Sequence, residues 1–145
     1  MPTAMDAFDG KLIYITGGSS GIGLEMGKIF AARGADLLLM ARGVEKLQDA
    51  RKAVQACRLH GSQRIETLSV DVADPRDVQT KMSGALEDLG APDILISSAG
   101  INKYADRFEN ISYEMFDEVM KINLYGPRTM IQTLLPAMEQ KKGHI

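Results

Sequence analysis

Positions 13 to 23 read Ile13-Tyr14-Ile15-Thr16-Gly17-Gly18-Ser19-Ser20-Gly21-Ile22-Gly23. This stretch predicts a short apolar strand, then a turn with glycines spaced G-x-x-x-G-x-G, then the start of a helix. Glycines let such a turn approach a dinucleotide pyrophosphate closely, and the N-terminus of the helix faces its negative charge. The spacing departs from the common G-x-G-x-x-G fingerprint, so a plain tight turn is an alternative of similar weight. The position directly after an apolar strand favours phosphate binding.

The composition is that of one soluble globular domain. The 145 residues are 45% hydrophobic and 25% charged, with a net charge of -2, which predicts a single domain over residues 1–145. This charge balance offers no basic surface for nucleic acid. The lone Cys57, the lack of a signal peptide and the lack of a bilayer-spanning apolar run predict a cytoplasmic protein without a membrane segment. His60 and His144 are isolated, so no metal site is expected.

Strand and helix signals alternate along the chain. Strands are predicted at Leu12–Thr16, Leu37–Met40, Ile65–Val70 and Ile94–Ser97. Helices are predicted from about Ser20 to Arg33, Val44 to about Leu59, Pro75 to about Leu89 after the N-cap Asp74, and about Ser112 to Gln140. This pattern predicts an α/β fold with a parallel sheet covered on both faces. Residues 143–145 look like a loop turning into a further strand.

Three further signals follow the ends of the predicted strands. Ala41-Arg42 ends strand two, where an acidic residue would bind a ribose 2′-hydroxyl and an Arg favours a 2′-phosphate. The pair therefore indicates NADP(H) rather than NAD(H), with a solvated loop charge as the alternative for Arg42. Asp71-Val72 follows strand three, where it could touch an adenine, although a simple strand-end Asp is the favoured interpretation. Ser97-Ser98-Ala99-Gly100 offers small residues against which a cofactor can lie.

In this order the signals resemble the short-chain dehydrogenase/reductase family. Four segments carry the resemblance: Thr16-Gly17-x-x-x-Gly21-x-Gly23 is similar to the cofactor turn, Asp71-Val72 to the adenine-contact pair, Ser97-Ser98-Ala99-Gly100 to the Asn-Asn-Ala-Gly segment, and Asn123-Leu124-Tyr125-Gly126 to the motif with the active-site Asn. Both Asn of the third segment are Ser here. Within the family, residues 17–21 and 41–42 look similar to 3-ketodihydrosphingosine reductases.

The resemblance implies a Rossmann-type doubly wound sheet of order 3-2-1-4 and an NADP(H)-dependent oxidoreductase that forms homo-oligomers. Its substrate would be a small-molecule carbonyl or alcohol, reacting by hydride transfer. The implied cofactor-binding residues are Thr16, Gly17, Ser19, Ser20, Gly21, Ile22, Gly23, Arg42, Asp71, Val72, Ala99 and Gly100. Asn123 is the implied catalytic residue, its backbone holding a water in a proton relay to a catalytic Lys.

Pro127 lies four residues after Asn123 in a helical pattern. Because proline has no N–H and its ring pushes against the preceding turn, it predicts a kink that leaves the Asn123 carbonyl open. The alternative is a helix that begins near Gly126-Pro127. In the loop after Gly100, the side chains of Lys103, Tyr104 and Arg107 are interpreted as solvated, with a substrate entrance as the alternative.

The family's catalytic Tyr-x-x-x-Lys pair has no match in these residues. The tyrosines at 14, 104, 113 and 125 are followed four residues later by Gly18, Phe108, Asp117 and Thr129. Since the family places its Ser, Tyr and Lys after strand five, we expect a truncated domain that is inactive by itself. The alternative is a catalytically inactive NADP(H)-binding or assembly module. The apolar segment Ile94–Ile96 would form a sheet edge that favours self-association.

Overall fold

Four parallel strands form the centre of the structure, a computed structural model that describes residues 7–102 and 107–145. The strands are β1 (Leu12–Thr16), β2 (Asp36–Ala41), β3 (Ile65–Ser69) and β4 (Ile94–Ser97). They pair in the order β3-β2-β1-β4. The predicted α/β fold and its strand order are therefore confirmed.

Five α-helices accompany the strands within the described ranges: α1 (Gly21–Ala31), α2 (Val44–Gln55), α3 (Pro75–Asp88), α4 (Tyr113–Met120) and α5 (Gly126–Lys141). A short 3₁₀ turn, Phe108–Asn110, precedes α4. Both α1 and α2 end earlier than the sequence predicts, because i→i−3 bonds replace the α pattern there. The N–H groups of Arg33 and Cys57 donate to the carbonyls of Phe30 and Val54.

The predicted long helix is interrupted at the place where Pro127 predicts a kink. A π-helical turn, Lys121–Tyr125, joins α4 to α5, and the Gly126 N–H donates to the Lys121 carbonyl five residues back. Pro127 cannot supply the N–H that would bond the Asn123 carbonyl in a regular helix. The interruption is a π-helical turn, and the backbone stays helical from α4 through this turn into α5. A separate helix that begins near Gly126-Pro127, the alternative, is not observed.

The last residues lie against the outer edge of β4. The Leu95 N–H donates to the His144 carbonyl (2.9 Å), and the His144 N–H donates to the Asp93 carbonyl (2.8 Å). His144 thereby forms a parallel bridge with Ile94. The predicted turn towards a further strand at residues 143–145 is confirmed, and it begins to cover the sheet edge at β4.

The sheet is buried on both faces by helices. Side chains alternate between the two faces along each strand. On one face α3 and α5 cover Tyr14, Leu38 and Met40, and on the other α1 and α2 cover Ile13, Ile15, Leu37 and Leu39. All five residues of β1 are buried, as expected for a central parallel strand.

Tyr14 carries a polar hydroxyl into this apolar centre. Its hydroxyl donates towards the carbonyls of Gly90 (2.8 Å) and Ala85 (3.1 Å) at the end of α3. Burial raises the pKa of Tyr14 to about 12. The phenol therefore stays neutral and joins β1 to the helix that covers it.

Asp93 joins the amino-terminal ends of β1 and β4 to α5. Its carboxylate accepts the Leu12 N–H (2.8 Å) and lies 2.9 Å from the Lys141 ammonium and 3.6 Å from that of Lys11. Desolvation raises the pKa of this carboxyl, but the hydrogen bonds from Leu12 and Lys141 outweigh it, so the pKa is lowered overall. The ionised form is thus favoured in the folded state.

Replacing Asp93 with Asn is expected to lower the free energy of unfolding by about 1–2 kcal/mol at neutral pH, because it removes the charge from these contacts. A lowered folded-state pKa means that the stabilisation is present above the unfolded pKa, about 4, and is lost as the pH falls through the folded value. The difference in the free energy of unfolding between the wild type and Asp93→Asn, measured by urea unfolding, should therefore become smaller below about pH 4. Asp49→Asn is the control, because Asp49 is 81% exposed and pairs with Lys52 only at 3.8 Å. A deficit as large at pH 3 as at pH 7 would contradict this account.

Candidate functional site

A cavity of about 570 Å³ opens at the carboxyl ends of the four strands. Open α/β sheets bind ligands at this edge, at the point where the strand order changes direction. Here β2 and β3 lie on one side of β1 and β4 lies on the other. Its walls come from the turns after all four strands and from the first turn of α2. They include eight of the predicted site residues: Gly17, Ser19, Ser20, Arg42, Asp71, Val72, Ala99 and Gly100.

The turn after β1 lies against the turn after β4. Gly17 has φ +67°, and a Cβ there would stand 2.8 Å from the Ala99 nitrogen and from the Ser98 oxygen. A Cβ on Gly23 would collide with the Gly17 carbonyl oxygen. Two of the three spaced glycines are therefore required by close packing of backbone on backbone, which brings the first turn of α1 close to the end of β1.

Gly21 has a different reason to be glycine. Its φ is +53°, in the left-handed region, while nothing lies within 4 Å of the Cβ that a larger residue would carry. The position is therefore constrained by backbone conformation alone. Ile22, directly after it, is 75% exposed. Gly21, Ile22 and Gly23 form the start of α1 beside the cavity, and they are not among the residues that line it.

Thr16 supports the cavity from behind its wall. The side chain is buried, and its hydroxyl oxygen accepts the N–H groups of Ser98 and Ala99, each at 3.1 Å. The hydroxyl thus binds the end of β1 to the end of β4. It satisfies two backbone donors that the turn after β4 leaves without a partner in the sheet.

The N-termini of α1 and α2 border the same space. Ser20 and Gly43 are the N-caps of these helices, and within the described part of the chain neither gives a side-chain hydrogen bond to its helix. The first N–H groups of both helices therefore lack a side-chain cap, an arrangement that favours anions. Ser19 is partly buried and Ser20 is exposed, and both line the cavity.

Arg42 stands at the wall formed by the end of β2. Its guanidinium is exposed and has no ion-pair partner among residues 7–102 and 107–145. Lys46, in the first turn of α2, lines the same part of the cavity, as does Glu45. Residues 45 and 46 are charged and exposed, and the structure places both of them on the cavity wall beside Arg42.

Asp71 and Val72 form the wall after β3. One carboxylate oxygen of Asp71 accepts the Ala73 N–H (3.0 Å), and the Asp71 N–H donates to Asp77 (2.8 Å). The Val72 carbonyl lies 2.9 Å from where a Cβ on Gly126 would stand. The start of α5 is thus pressed against this wall, and the short turn after β3 holds Asp71 in place.

Asn123, in the π-helical turn, is tied to the loop after β4. Its side-chain amide donates to the Ile101 carbonyl and its oxygen accepts the Ile101 N–H, both at 2.8 Å. The side chain is therefore occupied, and it is the neighbouring Ile122 that lines the cavity. Because Pro127 has no N–H, the backbone carbonyl of Asn123 has no i+4 donor. This carbonyl is the group predicted to take part in a proton relay.

The loop beyond Ile101 contains residues outside the described ranges. The predictions for Lys103 and Tyr104 fall there. Arg107 is described, and its guanidinium lies 3.7 Å from the Glu109 carboxylate on the surface.

Neither a cluster of three or more metal-ligating side chains nor a membrane-spanning helix is found among residues 7–102 and 107–145. No group of three or more His, Cys, Asp or Glu side chains is arranged to hold a metal ion there. In those same ranges, no helix combines the length and the apolar character needed to cross a membrane.

Gly17→Ala and Gly21→Ala separate the packing constraint from the backbone constraint. Both variants place a side chain on a left-handed residue, at a cost of about 1–2 kcal/mol. Only Gly17→Ala also forces a methyl group into the backbone after β4, which should cost about 1–3 kcal/mol more. Urea unfolding measures the difference, and equal losses in the two variants would refute the close contact.

Comparisons with known proteins agree with this architecture. The family model for short chain dehydrogenase matches residues 11–145. Dehydrogenase/reductase SDR family member 7B of Bos taurus is 35% identical over 137 residues, covering 92% of this chain and 42% of that protein. A 3-dehydrosphinganine reductase of Arabidopsis thaliana is 34% identical over 131 residues, covering 90% of this chain and 37% of that protein. The chain thus spans less than half the length of these relatives.

The solved structure of L-sorbose reductase from Gluconobacter frateurii, complexed with NADPH and L-sorbose, has a TM-score of 0.86 at 28% identity. The match covers 98% of this chain and 54% of that chain. A metagenomic short-chain oxidoreductase in complex with NADP gives 0.86 at 25% identity, over 94% of this chain and 60% of the other. Sequence and structure therefore agree that the chain belongs to the short-chain dehydrogenase family of oxidoreductases.

Proposed function

We propose that this chain is the cofactor-binding portion of an NADP(H)-dependent oxidoreductase that reduces a carbonyl or oxidises an alcohol. The observation that carries the proposal is the cavity at the carboxyl ends of the strands, with the glycine turn on one wall and the exposed Arg42 on another. Ala41, where a carboxylate would read a ribose 2′-hydroxyl, has no polar side chain. The NADPH and NADP in the solved structures of related enzymes support the same assignment.

Each wall has a proposed role towards the cofactor. The turn and helix start at residues 17–23 bind the pyrophosphate, with Thr16 holding the turn in place. Arg42 and Lys46 bind the 2′-phosphate, while Asp71 and Val72 contact the adenine. Ala99 and Gly100 lie along the nicotinamide ribose. NAD(H) would leave the two cations without an anionic partner and is the less favoured cofactor.

Hydride transfer is the chemistry that the bound cofactor supplies. The residues of this chain position the dinucleotide and close one side of its site. The Asn123 carbonyl, left without an i+4 donor by Pro127, would hold a water of the proton relay. The general acid and its Lys partner are proposed to belong to a longer protein of which this sequence is part, because no Tyr-x-x-x-Lys occurs within the 145 residues.

The substrate is proposed to be a small-molecule carbonyl or alcohol. The 34% identity to a 3-dehydrosphinganine reductase favours a long-chain keto compound within that class. A cytoplasmic location is proposed on the lone Cys57, which has no second cysteine within the 145 residues with which to form a disulfide.

Arg42→Ala tests the choice of cofactor. Losing the guanidinium should weaken NADPH binding by about 10- to 100-fold, the range for a hydrogen-bonded charge, and change NADH binding by less than about twofold. Isothermal titration of both cofactors against the wild type and the variant measures this. Arg76→Ala removes an exposed Arg on α3, outside the cavity, and is the matched control.

Three outcomes are informative. An NADPH preference that survives in Arg42→Ala would refute the role of Arg42, and failure of the wild type to bind either dinucleotide would refute the proposed function. Tight NADPH binding by a full-length protein that turns over no carbonyl compound would favour the alternative, an NADP(H)-binding or assembly module.

A homo-oligomer is proposed to form through the helices α4 and α5. Tyr113, Phe116, Leu124 and Tyr125 expose large apolar side chains along α4 and the π-helical turn, from 44% to 78% exposed. Surface apolar clusters of this kind mark interaction sites. Family members commonly pair through the equivalent long helix.

Phe116→Asp is therefore expected to shift the protein from dimer to monomer, because it places a charge in the proposed interface. Light scattering coupled to gel filtration measures the mass. Ile29→Asp, at a 50% exposed apolar position on α1, is the control and should leave the dimer intact. A wild type that is monomeric at high concentration would contradict the interface.

A further inference from the structure

Ser69 ends β3 beside the residue proposed to bind the 2′-phosphate. Its hydroxyl donates to the Arg42 carbonyl at 2.9 Å. The next residue, Val70, donates its N–H to the Ala41 carbonyl at 3.0 Å. Two consecutive carbonyls at the end of β2 are thus held by two consecutive residues at the end of β3.

These two bonds determine the direction in which the Arg42 side chain leaves the backbone. The Arg42 Cα lies between the planar peptide units whose carbonyls belong to Ala41 and Arg42. When both planes are held, the dihedral angles at Arg42 are set, and so is the direction of its Cα–Cβ bond. The bond from Val70 orients the first plane, and the bond from the Ser69 hydroxyl orients the second.

The second plane also leads into α2. Gly43 follows it as the N-cap, and its carbonyl accepts the Leu47 N–H at 3.0 Å. A Cβ on Gly43 would stand 3.9 Å from the Lys46 Cβ, so Lys46 sits directly over this turn. The orientation of the Arg42–Gly43 peptide plane therefore determines the positions from which the Arg42 and Lys46 side chains extend along the cavity wall.

Ser69 is itself held from the other side. The Lys81 ammonium, on α3, donates to the Ser69 carbonyl at 3.0 Å. The chain of contacts runs from α3 through the end of β3 to the end of β2. Ser69 is only partly buried, and its hydroxyl lies on the Arg42 backbone and not among the residues that line the cavity.

We propose that Ser69 is a positioning residue for cofactor selectivity, which acts by orienting the Arg42–Gly43 peptide so that Arg42 and Lys46 converge on the 2′-phosphate of NADP(H). This inference rests on the proposed function. It adds a residue that touches no part of the cofactor yet discriminates between NADP(H) and NAD(H). The 5′-AMP part of either cofactor is bound by other walls and is unaffected by Ser69.

The test uses 2′,5′-ADP and 5′-AMP, which differ only by the 2′-phosphate, in isothermal titration with the full protein. Ser69→Ala should weaken 2′,5′-ADP binding by about 3- to 10-fold, the effect of one lost hydrogen bond, and change 5′-AMP binding by less than about twofold. Ser69→Thr keeps a hydroxyl and should retain most of the affinity. Ser69→Val has the same shape as that variant without the hydroxyl and should behave like Ser69→Ala.

A double-mutant cycle separates positioning from direct binding. If Ser69 acts through Arg42, then Ser69→Ala should add less than about twofold in an Arg42→Ala background. Thr67→Val removes a hydroxyl from the same strand, two residues earlier and away from Arg42, and should leave both affinities unchanged. Urea unfolding of each variant establishes that the fold persists.

The inference is overturned if Ser69→Ala leaves 2′,5′-ADP binding unchanged, weakens both ligands equally, or keeps its full effect without Arg42. Its failure is distinguishable from that of the proposed function. If wild type and Arg42→Ala behave as expected and Ser69→Ala does not, only the role of Ser69 falls. If wild type shows no preference for 2′,5′-ADP, the assignment of NADP(H) falls and that of Ser69 with it.

Discussion

The contact between the turns after β1 and β4 is the constraint on which the site depends. Gly17 touches the backbone of Ser98 and Ala99, and the buried Thr16 hydroxyl accepts both of their N–H groups at 3.1 Å. The two strands are paired as far as Thr16 and Ser97, and this contact continues their association into the turns that follow. The contact keeps a single floor beneath the cavity, and it explains why small residues occupy both turns.

Around this floor, the chain uses backbone hydrogen bonds to place its polar side chains. Asn123 is joined to Ile101 by a matched pair of 2.8 Å bonds, and Arg42 is held through its carbonyl by Ser69. In both cases the contact is made to main chain that lies shortly after a strand of the sheet. Such contacts lose little conformational entropy when they form, so they are effective in orienting groups that must meet a ligand.

Local patterns were sufficient for the elements whose signals are strong and independent of neighbours. The apolar run of β1, the Asp74 N-cap before Pro75 and the proline at 127 each act within a few residues, and the structure has a strand, a capped helix and a helical interruption at these places. The sequence predicts α1 and α2 to be longer than they are, because side-chain periodicity continues past the residue at which the hydrogen bonding changes.

The sequence by itself determined the α/β class and the order of the glycine turn and strand ends, because these follow from local periodicity and backbone freedom. Its resemblance to the family's motifs added eight of the residues that line the cavity. Only the tertiary structure decided that Thr16 holds the turn after β4 and that Ser69 holds the Arg42 carbonyl. These relations join residues up to 83 positions apart. They depend on strand register and on the packing of helices, which no window of neighbouring residues contains.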